Sequence, residues 1–510
     1  MLDCSATALG VSPLRRLTRE QYERSVRDLL GLAVDEQSLG PDEQAGPFAT
    51  NIGAPLTELS TQQYMETAET LAAAAVGDLG KLLRCDPAAL GNDACASQFI
   101  ASFGRRVYRR PLTSIESRRY QDQYAQLVQA ESFADAIRVV LQTMLQSPHY
   151  LYLVELESKQ LAQDEIAPLS SHEVAARLSY FLWGSTPDAE LLDAADRDEL
   201  ADATVLRAQA QRLFDDPRTT DTLGSFHAQW LQLQSLDALT KDAATYPSWN
   251  DGLRDAMRAE TRAFVDEVYR HGDASIATLL TAPFSVIDGP LFDYYGVTQP
   301  SGFTSGQKVM LDGSERAGIL TQSAFLATHA HENQSAPVKR GVTVIRNVLC
   351  ATLPNPPADV LLKAPDPAPN ATTRERFTLH EAEPRCAACH ETIDGIGFGF
   401  EAYDGIGQHR TTDQGLPVDD NGKILGTTDI NGTFQGAIAL AQKLASSDDV
   451  SQCMAKQWFR YGLGRLDEKA DACSLQSLTS SLAGSNKNLR EMLLALTTTD
   501  AFRMRKGQAP

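Results

Sequence analysis

The sequence predicts a mainly α-helical protein of several modules with a few small β-hairpins. Apolar residues recur at helical spacing through most of the 510 residues, and several of these stretches begin with a capping signal. Strand signals are few, and residues 308–311 and 422–425 are the clearest edges of small hairpins. A hydrophobic content of 43% with 22% charged residues is that of an ordinary globular chain.

Helix signals follow one another from the amino terminus. Thr18 to Gln21 form a capping box, apolar residues follow at helical spacing, and Gly31 marks the end of the first helix. Similar patterns predict helices that open at 60–63, 113–116 and 170–173 and amphipathic segments at 204–214 and 253–269. Because each stripe has a polar opposite face, we interpret the apolar positions as core.

The charge balance limits the classes of partner. The formal net charge is −20, so nucleic acid and anionic membrane surfaces would be repelled. No apolar run approaches the roughly 20 residues that a membrane-spanning helix needs. We therefore expect neither a nucleic-acid partner nor a membrane span.

The most specific motif is Cys386-Ala387-Ala388-Cys389-His390. This C-x-x-C-H pattern is the attachment signature of a c-type haem, in which two thiols bond the haem vinyl groups and the histidine ligates the iron. A zinc site would need a second ligand pair at similar spacing, and a thioredoxin-like motif should follow a strand. The sequence has neither feature, so we predict one covalent haem c held by Cys386, Cys389 and His390.

Cysteine usage indicates export. The six cysteines outside the motif form an even set, as expected of a disulfide-bonded protein, whereas reduced cysteines would suit a cytosolic one. Haem c is normally attached outside the cytoplasm, so we expect a periplasmic or extracellular chain whose leader has been removed. The spacing predicts two local disulfides, Cys85–Cys95 and Cys453–Cys473, and the two remaining cysteines give a long-range third, Cys4–Cys350.

The sixth haem ligand is the least determined part of the predicted site. His331 is the favoured candidate, because the segment from His329 to His331 is the densest histidine cluster and leads into the haem motif. Two alternatives stay open for this segment, a non-haem metal site and a pair of exposed loop histidines. Further candidate ligands are His380, His409 and Met454.

Arginines are the expected partners of the haem propionates. A guanidinium binds a carboxylate in a bidentate fork, and the candidates are Arg340, Arg410 and Arg465. Ordinary surface ion pairs are the alternative interpretation of each.

Several motifs together resemble a known family, the planctomycete-type cytochrome c-associated proteins, which are large exported haem proteins of unknown function. The resembling segments are LRRLT at 14–18, YRRPL at 108–112, SPHYLY at 147–152, GILT at 318–321, SAPVKRG at 335–341, the haem segment from His380 to Glu401, and residues 455–465. One departure is Gly395, where relatives usually carry proline. The resemblance implies a haem cofactor and leaves the reaction open.

These observations predict five modules. We expect an amino-terminal helical module at 1–80, a helical module with the YRRP segment at 81–160, a large helical module at 161–312, a cytochrome c-like haem module at 313–425 and a carboxy-terminal helical module at 426–510.

The favoured function is electron transfer with a redox partner protein. The alternatives are a haem-dependent oxidoreductase (peroxidase, oxidase or oxygenase) with a small-molecule substrate over an open haem face, and a binding scaffold with a structural haem. No catalytic residue can be assigned from the sequence.

Overall fold

The structure is a computed structural model that describes residues 4, 7–53, 56–155, 161–354, 364–378 and 384–507. Its helices and small sheets confirm the predicted mainly α fold class. The chain divides into two compact units. Unit 1 comprises Met1–Thr222, Arg460–Ser474 and Leu494–Pro510, and unit 2 comprises Leu223–Phe459 and Leu475–Leu493.

Most described residues lie in α-helices. In chain order these are α1 (Arg19–Leu30), α2 (Glu58–Val76), α3 (Leu79–Leu82), α4 (Pro87–Leu90), α5 (Asn92–Tyr108), α6 (Ser114–Leu127), α7 (Phe133–Leu145), α8 (Pro148–Leu151), α9 (Ser171–Leu182), α10 (Ala189–Asp196), α11 (Ala203–Asp215), α12 (Thr219–Trp230), α13 (Asp251–Asp266), α14 (Ile276–Thr281), α15 (Leu291–Tyr295), α16 (Ser323–Thr328), α17 (Pro337–Thr343), α18 (Thr373–Thr378), α19 (Pro384–Gly397), α20 (Gly436–Ser446), α21 (Asp448–Leu463), α22 (Ala472–Gly484), α23 (Leu489–Thr497) and α24 (Asp500–Arg503). Single π-helical turns follow α13 at Glu267–His271 and α17 at Val344–Val348.

Strands are short and pair antiparallel. They are β1 (Arg15–Arg16), β2 (Glu43–Ala45), β3 (Phe48–Ile52), β4 (Tyr152–Leu153), β5 (Ile166–Pro168), β6 (Phe284–Ser285), β7 (Val309–Met310), β8 (Thr412–Asp413), β9 (Leu416–Pro417), β10 (Asn421–Ile424), β11 (Gly432–Gln435) and β12 (Met504–Lys506). One sheet has the order β2-β3-β1-β4, and the other pairs are β5–β12, β6–β7, β8–β9 and β10–β11. The hairpin edges predicted at 308–311 and 422–425 correspond to β7 and β10.

The predicted capping boxes account for the starts of three helices. At α1 the Thr18 hydroxyl accepts from the Gln21 backbone N–H at 3.2 Å, and the Gln21 side chain accepts from the Thr18 N–H at 3.2 Å. The same reciprocal bonds open α6 and α9. The predicted start of the second helix at 60–63 is wrong, because the Thr57 hydroxyl caps α2 and the helix begins at Glu58.

The YRRP segment ends α5 in unit 1. Arg109 has a left-handed backbone with φ of 61°, and its buried guanidinium donates to the carbonyl oxygens of His149 at 2.8 Å and Tyr150 at 2.7 Å. Leucine or alanine at 109 would leave these buried carbonyls without that donor. The motif therefore ties α5 to the SPHY segment around α8.

Three disulfides join the six cysteines outside the C-x-x-C-H motif. Cys85–Cys95 confirms the predicted local bridge. The other two predicted pairings are wrong, because the structure joins Cys4 to Cys473 and Cys350 to Cys453. Cys473 belongs to unit 1 and Cys453 to unit 2, and each pairs inside its own unit. None of the described helices combines the length and the apolar character that crossing a membrane requires.

Candidate haem site

Helix α19 carries the C-x-x-C-H motif in unit 2. Residues 386, 389 and 390 are spaced i, i+3 and i+4, so their positions share one face of the helix. Cys389 is a free, half-buried thiol, and the side chain of Cys386 lies outside the described part of the structure. The helix thus presents Cys389 and His390 at adjacent positions, as attachment to one haem requires.

His390 is oriented by a buried carboxylate one turn later. Its Nδ1 and Asp394 Oδ2 are 2.9 Å apart, and the Asp394 side chain is 0% exposed. A carboxylate that accepts the Nδ1–H fixes the tautomer and leaves Nε2 as the nitrogen that ligates a metal. The donor set therefore fits a haem iron, which His390 would ligate. The role of Asp394 was not predicted from the sequence, although its i+4 spacing from His390 indicates such a contact.

Two glycines let α17 pack closely against α19. A Cβ atom at Gly341 of α17 would overlap the carbonyl oxygen of Ile393, and one at Gly397 of α19 would overlap the carbonyl oxygen of Pro337. The two backbones therefore meet at these points with no room for a side chain. This contact holds the SAPVKRG segment against the helix that carries the haem motif.

The opposite side of α19 is also lined by glycine. A Cβ at Gly395 would lie 2.6 Å from the carbonyl oxygen of Lys423 in β10, and one at Gly399 would overlap the ring of Phe434 in β11. Gly395 and Gly399 therefore form a packing surface for the β10–β11 hairpin. It also gives a physical reason for Gly395 at the position where the resembling family usually carries proline.

Arg340 of α17 is fully buried. Its guanidinium donates to four carbonyl oxygens, those of Phe400 at 3.0 Å, Tyr403 at 3.0 Å, Leu326 at 3.0 Å and Asp404 at 2.6 Å. Burial lowers the pKa of Arg340 to about 10. These bonds tie α17 to the segment after α19, and the propionate contact proposed for Arg340 stays a prediction.

Arg410 lies in a compact ionic group. It pairs with Glu401 at 3.0 Å and Asp413 at 2.9 Å, and Glu401 also accepts from the Ser335 hydroxyl at 3.0 Å. Burial raises the pKa of Glu401 from its ordinary value, and Arg410 and Arg340 oppose that shift. The propionate contact of Arg410 likewise stays a prediction. Arg465 belongs to unit 1, where it pairs with buried Asp471 at 2.7 Å.

The structure distinguishes the two histidines of the predicted distal cluster. His329 is buried, with Nε2 2.7 Å from the Leu231 carbonyl oxygen and Nδ1 3.3 Å from the Thr343 hydroxyl. His331 is half-buried, and its ring stacks on Phe377 of α18 with 6.2 Å between centroids. Burial, with Lys339 and Lys241 nearby, lowers the pKa of His331 to about 4, so its imidazole is neutral at pH 7. Because both ring nitrogens of His329 already contact protein oxygens, His331 is better suited than His329 to bind a metal.

The remaining candidate ligands have different surroundings. His409 Nδ1 pairs with Glu315 at 3.1 Å, and Met454 is buried in α21. His380 lies outside the described residues. No group of three or more histidine, cysteine or acidic side chains suited to a metal ion occurs within the described ranges.

A cavity of about 570 Å³ lies in unit 1 and is built by other residues. Tyr108, His149 and His172 line it, and Arg110 in its wall pairs with Glu116 at 2.9 Å. Arg110 lowers the pKa of Glu116 to about 2. The cavity wall contains none of the predicted haem residues.

Five family models match the chain in succession. Each is described as a protein of unknown function: DUF1587 at residues 15–77, DUF1595 at 95–155, DUF1592 at 169–297, DUF1588 at 316–413 and DUF1585 at 431–502. The chain carries the domain set of the planctomycete cytochrome c-associated proteins. The model at 316–413, named PSCyt3, spans α17, α19 and the C-x-x-C-H motif. No curated protein and no solved structure matches the chain significantly. The predicted module boundaries stay predictions.

Proposed function

We propose that this protein is an exported c-type haem protein that exchanges electrons with a redox partner. The observation that carries the proposal is the His390–Asp394 pair on the helix that also bears Cys389, a thiol that takes part in none of the three disulfides. A metal-binding histidine braced by a buried carboxylate is the arrangement that a haem iron uses. The three disulfides favour an oxidising compartment and hence export.

Each residue of the motif has a definite task in this proposal. Cys386 and Cys389 would hold the haem through thioether bonds, and His390 would ligate the iron through Nε2. Asp394 accepts the Nδ1–H at 2.9 Å, which increases the basicity of the ligand and fixes the ring plane. The bound haem would supply one-electron chemistry. Close packing through Gly341 and Gly397 would hold the helix, and with it His390, in a fixed position against α17.

A second candidate function rests on His331. If this neutral imidazole ligates iron, no coordination position is left for a substrate, and the haem suits electron transfer. If His331 instead faces an open iron position, it is placed as an acid–base group for a haem-dependent oxidoreductase acting on a small molecule. The half-buried ring with a pKa of about 4 is compatible with both roles.

The proposed function is tested on the purified exported protein. We expect one covalent haem c per chain by pyridine haemochrome assay, a pigment that acidified solvent does not extract, and reversible one-electron reduction in a spectroelectrochemical titration. Protein that carries no covalent haem after expression with a haem-attachment system would reject the proposal. Haem that turns over peroxide faster than it exchanges electrons would favour the second candidate.

The first variant prediction concerns Asp394. Asp394→Asn removes the carboxylate charge beside His390, which makes the ligand less basic and disfavours the oxidised iron. We therefore expect a higher midpoint potential, measured by spectroelectrochemical titration. Asp419→Asn is the matched control. It removes the same charge from unit 2, but the Asp419 side chain is 52% exposed, so solvent screens its charge. Equal potentials in the two variants would show that Asp394 does not tune the ligand.

The second variant prediction separates the two roles of His331. If His331 is an iron ligand, the His331→Ala protein should have a ferric spectrum shifted toward high spin and should bind cyanide. As an acid–base group, its loss should leave the spectrum nearly unchanged and lower peroxide turnover by about 10²–10⁴-fold. His271→Ala is the control, since the His271 side chain is 58% exposed. A variant that matches the control in both measurements would remove His331 from the site.

A further inference from the structure

Three arginines line one small cavity in unit 1. Arg15 comes from β1, Arg177 from α9 and Arg465 from the segment that follows α21. The cavity has room for about one water-sized particle, roughly 10 Å³. Three guanidinium groups from distant parts of the chain therefore share a very small space.

Two of these arginines have carboxylate partners of their own. Arg177 binds Glu155 through both Nε and Nη2. Arg465 binds buried Asp471 through Nη1 and Nη2, each at 2.7 Å. Such forked pairs use the matching geometry of guanidinium and carboxylate. Two carboxylates thus neutralise two of the three guanidinium groups.

Arg15 is the cation that remains. Among the residues that the structure describes, its half-buried side chain has no hydrogen-bond or ion-pair partner. The guanidinium lies against the backbone of Gly464, because a Cβ atom there would overlap Arg15 Nη1. Burial lowers the pKa of Arg15 to about 10, the two neighbouring guanidinium groups add to that shift, and Glu155 opposes it. A cation in this position is costly unless an anion joins it.

A second donor in the cavity wall also lacks a protein partner. The Ser12 hydroxyl forms no hydrogen bond within the described ranges, and Ser12 precedes Arg15 by three residues. Pro13, Leu153 and Leu463 make the neighbouring wall apolar. The cavity therefore offers a hydroxyl and a guanidinium, both able to donate to an acceptor, beside an apolar surface.

We propose that Arg15 and Ser12 bind one small monovalent anion, chloride, which stabilises unit 1. Three guanidinium groups and two carboxylates leave one positive charge, which a single monovalent anion balances. The small cavity suits a single-atom anion better than phosphate or sulfate, which are larger and need more donors. The bound ion joins β1, α9 and the segment after α21, so it strengthens the contact between three separate parts of the chain. The inference does not depend on haem, because α19 belongs to unit 2.

Binding is tested by the linewidth of the chloride NMR signal in a solution of the full chain at constant ionic strength. We expect broadening by the wild type that is lost in Arg15→Met and reduced in Ser12→Ala. Arg15→Lys keeps the charge and should keep part of the broadening. Arg27→Met is the matched control and should broaden the signal like the wild type, because Arg27 is 48% exposed and pairs with Asp221 at 3.1 Å.

Thermal unfolding tests the effect on stability. An ion that binds only the folded state raises the midpoint as its concentration increases. The midpoints of the wild type and of Arg27→Met should therefore be higher in sodium chloride than in sodium gluconate of equal ionic strength. The midpoint of Arg15→Met should be the same in both salts.

Three results would overturn the inference. The first is equal chloride linewidths for the wild type and Arg15→Met. The second is a midpoint that is the same in chloride and gluconate for the wild type. The third is a larger rise in sulfate than in chloride that disappears in Arg15→Met, which would show an oxyanion site instead. If Arg15→Met does not fold, Ser12→Ala decides, and a linewidth equal to that of the wild type would count against the site.

Discussion

Replacing Cys386 and Cys389 together by alanine should abolish covalent haem attachment. The expected protein has no pyridine haemochrome signal after acidified-solvent extraction, whereas the wild type retains one haem per chain. The reason is chemical, since a thioether bond needs a thiol at each vinyl group, and the six other cysteines are engaged in disulfides. Each single variant should retain one thioether and show a shifted absorption band.

The control removes a disulfide instead. Cys85→Ala with Cys95→Ala deletes the bridge in unit 1 and should leave the haem stoichiometry unchanged. Its loop is short, with a sequence separation of 10, so the entropic cost of losing the bridge is about 3 kcal/mol at most. If the haem survives extraction in the Cys386→Ala, Cys389→Ala protein, another attachment chemistry is operating and the proposed site is wrong.

Local sequence patterns predicted local structure well. The capping box from Thr18 to Gln21 needs only four consecutive residues, and the structure forms it as expected. The C-x-x-C-H motif is similarly local, because one turn of helix brings its residues to a common face. Asp394 belongs to the same class of signal, and an i+4 carboxylate after the motif histidine could have been named in advance.

Features that depend on distant packing were not predictable. Cys453 and Cys473 are close in sequence, but Cys453 joins Cys350 at a sequence separation of 103. His329 and His331 are equivalent by spacing, and long-range contacts such as that of His329 with the Leu231 carbonyl, 98 residues away, distinguish them. Lys241 reaches the His331 loop from 90 residues away. Such contacts depend on which helices pack together, and a single sequence contains no direct signal for that.

Helix packing through glycine gives the second large expected effect. Gly397→Val places a branched side chain where a Cβ already overlaps the Pro337 carbonyl oxygen, so α17 and α19 must separate. We expect the free energy of unfolding to fall by about 3 kcal/mol, since the obstacle is backbone that cannot rotate away. Gly341→Val, which meets the Ile393 carbonyl oxygen, should behave similarly. Denaturant unfolding followed by circular dichroism measures both.

The matched control is Gly484→Val at the end of α22. Nothing lies within 4 Å of a Cβ at Gly484, so the change should alter stability by about 0.5 kcal/mol or less. The proposed haem would report on the same packing, because separation of α17 from α19 would displace the His331 loop relative to His390. We therefore expect the Gly397→Val protein to keep its covalent haem and to change its axial ligation, detected as a high-spin ferric spectrum. Unfolding free energies and spectra equal to those of Gly484→Val would show that the contact between α17 and α19 does not shape the haem site.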